Sequence, residues 1–227
     1  MRRIAIIAAM PGELKPLVRG WWHERRGGVE LWTRRVDDSE WLAACAGAGQ
    51  QAATRAVAVL ELEGPLDAIV SVGWVGALDD KFLPGRAYRA TGVIDVQTGE
   101  RFPAIASDDS PWLATSPRVA DEAEKQRLAA TYGAGLVDME AAAIARLAAM
   151  RGIPFYIVKG VSDGFRDKLP DFNRFLGPKG EFHLLRLILF VLPRPWLWSA
   201  LVRMGENSQK ASHSIAQDLL DLLNEQG

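Results

Sequence analysis

The segment IAIIAAMPGE, residues 4–13, decides the fold class of the chain. Its first part, Ile4 to Ala9, is apolar and partly β-branched. Such a run is typical of a strand that is buried on both faces, in a parallel sheet covered by helices. The acidic residue Glu13 follows shortly after this strand. The segment therefore predicts an α/β fold with a carboxylate close to the end of an interior strand.

Strand and helix patterns of the same kind continue along most of the chain. Strands come first, and helices then alternate with strands, an order that favours an α/β domain with a mixed sheet. Because there is no internal repeat and no linker-like segment, we predict a single three-layer α/β/α domain over residues 1–227. The predicted strands are 29–36, 41–46, 68–72, 85–91, 92–96 and 153–161, and the predicted helices are 50–63, 121–132, 139–150 and 207–224.

Composition excludes several classes of protein. The 227 residues are 48% apolar and 24% charged, with a formal net charge of −1. This balance excludes disorder along the whole chain and argues against charge-driven nucleic-acid binding. The single cysteine, Cys45, excludes an internal disulfide and a thiolate-rich zinc site, and the three histidines lack metal-ligand spacing. Because of this cysteine and histidine pattern, no bound metal is expected. The N-terminal apolar run is too short for a signal peptide, so we expect a cytoplasmic protein.

The segment 182–204 departs from the α/β pattern. Leu184 to Leu192 is strongly apolar, and two prolines with Trp196 and Trp198 follow it. A membrane span needs about 20 apolar residues, and Arg186 and the prolines cut this run short. Two interpretations stay open: a helix of the core or of a subunit interface, and an apolar lid or membrane-surface contact, which the tryptophans and arginines favour.

Three acidic residues stand near the ends of predicted strands or at the start of a helix. Glu13 follows the first strand, Glu140 lies at the start of the Ala-rich helix, and Asp163 follows the strand 153–161. Ligands of α/β sheets bind outside the carboxyl ends of strands, so these acids are expected to converge on one cleft. Each of them alone would also fit a helix cap or a turn.

Two glycine clusters accompany the acids. Gly47-Ala48-Gly49 lies between a strand and a helix, where backbone amides can hold an anion or a ribose hydroxyl. Gly73-Trp74-Val75-Gly76 follows a buried strand and would either let a flat ligand approach the backbone or form a tight turn. Neither cluster matches the full dinucleotide fingerprint, so no nicotinamide cofactor is predicted.

Taken in order, these motifs resemble the nucleoside phosphorylase/nucleosidase superfamily, and in particular the methylthioadenosine/S-adenosylhomocysteine nucleosidases. The resemblance covers roughly residues 3 to 165 and is most specific in the Met-Glu and Ser-Asp motifs. It implies cleavage of the N-glycosidic bond of a purine nucleoside. The motifs that carry it are Ile6 to Glu13, Ala46 to Gly49, Val72 to Gly76, Val137 to Ala145 and Val158 to Gly164.

The resemblance implies a role for each matched residue. Asp163 would protonate or hydrogen-bond the leaving purine at N7, with Ser162 holding it, and Glu140 and Met139 would bind the ribose. Glu13 would position or deprotonate the attacking water. An acid on the leaving base must stay protonated near neutral pH, which burial favours, whereas Glu140 is expected to be ionised beside a cationic sugar.

Other parts of the expected site are less well defined by the motifs. The purine would stack on Val119 or Phe155. The glycines are expected close to the ligand: Gly73 beside the substrate, and Gly12, Gly47 and Gly49 at a phosphate or water site.

The attacking nucleophile stays open between water and phosphate. Phosphorylases of the trimeric and hexameric type hold phosphate with an arginine where this chain has Ser71, which disfavours a standard phosphate site. Lys15 or a neighbouring subunit would still supply a charge. Phosphate is therefore expected as a possible co-substrate, with no other cofactor, and the family's dimers and hexamers imply a homo-oligomer.

The apolar segment 182–204 narrows the choice of substrate. It is similar to the hopanoid-associated phosphorylase branch, which implies release of adenine from adenosylhopane, a lipid-linked nucleoside. The alternatives are a methylthioadenosine/S-adenosylhomocysteine nucleosidase or another purine nucleoside phosphorylase, and, in a different class, a non-catalytic nucleoside-binding module.

Overall fold

The computed structural model describes residues 1–107, 109–168, 170–175, 177 and 183–224. Its strands form one mixed sheet, which confirms the predicted α/β class. Phe182, the first residue of the predicted apolar insertion, lies outside the described residues. The strands are β1 (Arg2–Ala8), β2 (Trp22–Arg26), β3 (Val29–Val36), β4 (Ser39–Cys45), β5 (Ala68–Ala77), β6 (Ala87–Arg89), β7 (Gly92–Asp95), β8 (Arg101–Pro103), β9 (Trp112–Thr115), β10 (Leu136–Asp138) and β11 (Phe155–Asp163).

Helices cover both faces of the sheet. They are α1 (Pro11–Leu14), α2 (Gln50–Glu61), α3 (Glu122–Tyr132), α4 (Ala141–Arg151), α5 (Leu184–Val191) and α6 (Trp198–Asn224), with 3₁₀ turns at Phe172–Phe175 and Pro195–Leu197. Helix α3 begins after Asp121, whose carboxylate accepts the Glu124 N–H at 2.9 Å. This N-cap satisfies one of the backbone donors that a helix start leaves without a partner.

The first strand has a separate hydrophobic layer on each face. Ala5 and Ile7 pack in one core cluster with residues of α2 and α4, and Ile4 and Ile6 pack in another with residues of α6. Successive side chains of a strand point to opposite faces, so a strand covered on both sides needs an apolar residue at every position. The unbroken apolar run at residues 4–9 therefore follows from a three-layer arrangement.

Strand β5 organises the middle of the sheet. It pairs in parallel with β1 from Ala68 to Ser71 and with β11 from Ile69 onward. At Gly76 and Ala77 it pairs antiparallel with β10. Strands β1 and β10 therefore approach β5 from opposite directions, and their carboxyl ends meet near its middle.

Several boundaries differ from those predicted. The glycine cluster at Gly73 to Gly76 is the second half of β5 rather than a turn, and helix α6 begins at Trp198 rather than at residue 207. The strands β2, β8, β9 and β10 were not predicted. Three of them have only three or four residues, too few for a periodic pattern to stand out.

Gly160 permits close packing between β11 and α6. A Cβ atom at this position would lie 2.8 Å from the Cβ of Ala211 and 3.1 Å from its carbonyl oxygen. Gly160→Ala is therefore expected to destabilise the fold by about 1–3 kcal/mol through overpacking.

Thermal unfolding measures this effect against a matched substitution. Gly205→Ala places the same methyl group on α6, where a Cβ would meet open space, so it is expected to leave Tm unchanged or to raise it through helix propensity. Equal melting temperatures for the two variants would contradict the close packing at Gly160.

Candidate active site

A cavity of about 1130 Å³ opens where the carboxyl ends of β1, β10 and β11 meet the second half of β5. The polar side chains on its wall include acids and bases from distant parts of the chain. The remaining wall is mostly apolar. The lining residues used below are Gly12, Glu13, Val119, Lys125, Asp138, Met139, Glu140, Ser162, Asp163, Phe172, Leu187, Leu201 and Met204.

Glu13 fills the gap between the ends of β1 and β10. Its Oε2 accepts the N–H groups of Ala9 at 2.9 Å and Met10 at 2.8 Å, and its Oε1 accepts the N–H of Trp74 at 2.8 Å. Burial raises the pKa of Glu13, and these N–H donors and the nearby Lys159 charge oppose that rise. The carboxylate is thus held in one orientation, facing the cavity.

Gly73 makes room for this carboxylate. Its φ of +135° is in a region that favours glycine, and a Cβ there would lie 3.0 Å from Glu13 Oε1. Gly73 was expected beside the substrate, but it is not among the residues that line the cavity. Its observed role is to let β5 pass directly under Glu13.

Glu140 follows β10 and precedes α4. Its Oε1 accepts the Gly49 N–H at 2.6 Å. Burial and the charge of Asp138 raise the pKa of Glu140 to about 8, although Lys159 and the Gly49 amide act in the opposite direction. This raised pKa opposes the expectation that Glu140 is ionised beside a cationic sugar, which stays a prediction for the substrate complex.

This pKa has a consequence for stability. In the unfolded chain the Glu140 carboxyl ionises near its ordinary value of 4.5, whereas in the folded protein it does so near 8. Folding therefore binds a proton between these values, and the free energy of unfolding is expected to fall as pH rises from about 4.5 to 8. Glu140→Gln, which keeps an acceptor for Gly49, is expected to remove this part of the slope. Melting curves of both proteins at pH 5, 6.5 and 8 measure it, and parallel pH dependences would contradict the raised pKa.

A buried ion pair lies beside the two glutamates. Lys159 Nζ is 2.9 Å from Asp138 Oδ2 and donates to the Val72 carbonyl at 3.1 Å. Asp138 also accepts the Thr115 hydroxyl at 2.6 Å and the Ala141 N–H at 3.0 Å. Asp138 is therefore fully occupied by structural contacts, whereas Lys159 supplies a fixed positive charge close to both glutamates.

Asp163 lies at the end of β11 with both oxygens engaged. Ser162 Oγ donates to its Oδ1 at 2.6 Å, and Lys125 Nζ makes a short contact with its Oδ2. Lys125 also donates to the Gly164 carbonyl at 2.7 Å, and its side chain is only 1% exposed. The Lys125–Asp163 pair therefore forms one charged part of the cavity wall.

The sequence analysis missed Lys125 because α3 is a charged helix in which a lysine is unremarkable. A signal was nevertheless present. Lys125 and Leu128 are one helical turn apart and are the two buried residues of α3, so the lysine shares the helix's inward face.

Of four further residues predicted for the site, three line the cavity and one does not. Val119 lines the cavity, and Asn173 fixes it by bonds to its N–H at 2.9 Å and its carbonyl at 3.1 Å. Met139 and Gly12 also line the cavity. The prediction that Phe155 stacks on a purine is wrong, because Phe155 begins β11 in the hydrophobic core, about 26 Å along the strand from Asp163.

The two remaining glycines do not form an anion site. The Gly47 N–H donates to the Ala9 carbonyl at 3.1 Å, and the Gly49 N–H donates to Glu140. Their amides were expected to hold phosphate or water, but both already have protein acceptors. An aromatic residue that the sequence did not indicate, Phe172, lines the cavity instead.

Comparisons with known proteins agree with this architecture. A family model described as the phosphorylase superfamily matches residues 3–125 and 104–177. A comparison with curated protein sequences gives no match.

Three solved structures illustrate the similarity of fold. The Helicobacter pylori 5′-methylthioadenosine/S-adenosylhomocysteine nucleosidase with butyl-thio-DADMe-Immucillin-A has a TM-score of 0.74 at 16% identity, over 99% of both chains. Futalosine hydrolase of Helicobacter pylori has a TM-score of 0.74 at 14% identity, over 99% of this chain and 98% of that one. The Arabidopsis thaliana 5′-methylthioadenosine nucleosidase has a TM-score of 0.74 at 16% identity, over 99% and 95%. With the family model matched over most of its length, the chain belongs to the phosphorylase superfamily.

Proposed function

We propose that the protein cleaves the N-glycosidic bond of an adenine nucleoside in this cavity. The observation that carries the proposal is the convergence of Glu13, Glu140 and Asp163, which come from three separate elements, on one cavity. A non-catalytic binding module would have little use for three acids on one cavity wall and the two buried lysines beside them. Similar folds that act on 5′-methylthioadenosine, S-adenosylhomocysteine and futalosine support the same class of reaction.

Asp163 and Lys125 serve the leaving base. When the bond between C1′ and N9 breaks, its electrons move to the purine, which then takes a proton at N7. The Lys125 ammonium, paired with Asp163 Oδ2, supplies such a proton. The proton passes through Asp163 Oδ2 to N7, which leaves Lys125 neutral until solvent reprotonates it. Such acid catalysis contributes about 10²–10⁴-fold.

The two glutamates serve the sugar and the nucleophile. Loss of the base leaves positive charge on the ribose, and an ionised carboxylate stabilises this charge in a site that excludes water. Glu140 binds the ribose hydroxyls beside Met139, and the developing positive charge favours its ionised form. If water attacks C1′, Glu13 accepts the proton that the water loses.

An apolar part of the cavity wall would accommodate an apolar 5′ group. Leu187 of α5 and Leu201 and Met204 of α6 form this part of the wall. The volume of about 1130 Å³ exceeds the roughly 300–1,000 Å³ that is usual for ligand pockets. These features support adenosylhopane as the substrate. A short methylthio group would leave much of the apolar wall uncovered, which disfavours methylthioadenosine.

Release of free adenine tests the proposal. Purified protein is incubated with adenosylhopane in detergent, methylthioadenosine, S-adenosylhomocysteine and adenosine, each with and without inorganic phosphate. Adenine from adenosylhopane is expected at the highest kcat/KM. Activity without phosphate assigns water as the nucleophile, and strict phosphate dependence assigns phosphate. Equal kcat/KM for methylthioadenosine and adenosylhopane would contradict the lipid-linked substrate, and no adenine from any of them would contradict the enzyme.

A further inference from the structure

Helices α5 and α6 and the segment between them carry an exposed apolar surface, which we call the tail face. It consists of Leu185, Ile188, Leu189, Leu192, Trp196, Trp198 and Val202. Leu189 is 62% exposed and Trp196 is 70% exposed. Seven large apolar side chains exposed within eighteen residues indicate an interaction site.

The charges along the tail face are mainly positive. Residues 183–206 contain Arg186, Arg194 and Arg203 and a single acid, the exposed Glu206 at the edge of the segment. Arg186 and Arg203 are exposed, and the Arg194 guanidinium lies 3.9 Å from the ring centre of Phe190. An apolar surface with arginines and tryptophans at its edge is typical of helices that lie in the interface of an anionic membrane.

The shape of this segment fits a surface contact. Among the described residues no single helix is long and apolar enough to cross a bilayer, and α5 and α6 satisfy that length and composition only together, as a pair bent by 113°. The bend falls at the two prolines, Pro193 and Pro195, and Trp198 Nε1 donates to the Val191 carbonyl at 3.0 Å across it. The exposed side chains of both helices are therefore held at one corner of the molecule.

The same two helices also form a wall of the cavity. Leu187, Leu201 and Met204 line it, while neighbouring residues of α5 and α6 form the tail face. The tail face and the apolar end of the cavity are thus two sides of one helical layer.

We propose that the tail face docks the protein on the surface of an anionic lipid bilayer. A second copy of the chain is a poorer occupant, because a two-fold interface would bring two arginine-rich surfaces together, each with three arginines and only Glu206 to offset them. The inference stands apart from the proposed reaction, since docking is measured without substrate.

Co-sedimentation with lipid vesicles tests the docking. The full chain is mixed with vesicles of phosphatidylcholine alone or with one quarter phosphatidylglycerol. Binding is expected with the anionic vesicles, at least tenfold stronger than with neutral ones, and weaker at high salt. Arg186→Gln with Arg203→Gln is expected to remove most of the preference for anionic lipid.

A matched pair of variants distinguishes docking through the tail face from nonspecific adsorption to lipid. Leu189→Ser with Trp196→Ser removes exposed side chains that do not line the cavity and is expected to lower the partition onto anionic vesicles at least tenfold. Trp22→Ser removes a tryptophan of β2 that is 73% exposed and is expected to change nothing. Melting curves show that each variant is folded.

Three results would overturn the proposal. They are failure of the wild type to sediment with anionic vesicles, equal effects of the two sets of apolar substitutions, and a stable dimer that Leu189→Ser with Trp196→Ser dissociates. The last would identify the tail face as a subunit interface. None of them affects adenine release from a soluble nucleoside, so loss of docking and loss of the proposed reaction are distinguishable.

Discussion

Replacing Asp163 with asparagine is expected to lower kcat for adenine release by about 10²–10⁴-fold, the usual contribution of a positioned acid. The variant removes the carboxylate that relays a proton to the purine. Binding of adenine is expected to change much less, because an amide still forms hydrogen bonds with the ring. Steady-state kinetics with a calorimetric measurement of adenine binding separate the two effects.

Asparagine fits this position without leaving a buried polar group unpaired. Its Oδ1 can accept from Lys125, and its Nδ2 can donate to Ser162 Oγ if that hydroxyl turns to the Val75 carbonyl, which lies 3.2 Å away. The lost charge still costs stability, because Lys125 is left as a buried cation without its counter-ion. A melting curve is therefore part of the experiment.

Asp121→Asn is the matched control for this substitution. It makes the same change of charge on the surface of α3, where asparagine is as good an N-cap as aspartate. Its kcat is expected to equal that of the wild type. A wild-type rate in Asp163→Asn would show that the proton on the leaving base comes from elsewhere.

The fold was largely predictable because its signal is local. Along the apolar run at residues 4–9, alternate side chains point to the two faces of the sheet, which predicts that both faces are covered. Helices do pack against both faces. The short strand β10 was not predictable in this way. Its three residues gain their strand conformation from pairing with β5 and β9, which are distant in the sequence.

The candidate site was only partly predictable for a related reason. Acids at strand ends can be read from the sequence, and Glu13, Glu140 and Asp163 do line one cavity. The state of each acid depends on neighbours that sequence order does not bring together. Glu140 lies beside Asp138 in a buried site, which raises its pKa to about 8, and Lys125 reaches Asp163 from a helix that precedes it by 38 residues.

Lys125→Met is expected to lower kcat by at least 10²-fold at pH 7.5 and to change the shape of the pH–rate profile. Methionine is apolar and of similar length, so it fills the space of the lysine stem without its charge. In the wild type the proton comes from the Lys125 side chain, which is paired with Asp163. Without the lysine that proton must come from solvent in each turnover, so the rate of the variant is expected to depend more steeply on pH than that of the wild type.

The pH profile distinguishes a role in proton transfer from a role in folding alone. Removal of one partner of a buried ion pair costs about 3–5 kcal/mol, so a lower Tm is expected and does not by itself support the mechanism. Lys81→Met, at an exposed lysine, controls for the loss of a charge. Lys125→Arg retains a cation that does not release its proton, so it is expected to restore Tm more than kcat. If Lys125→Met kept the wild-type pH profile with a uniformly lower rate, Lys125 would only hold Asp163 in place, and the proton would have to come from another donor.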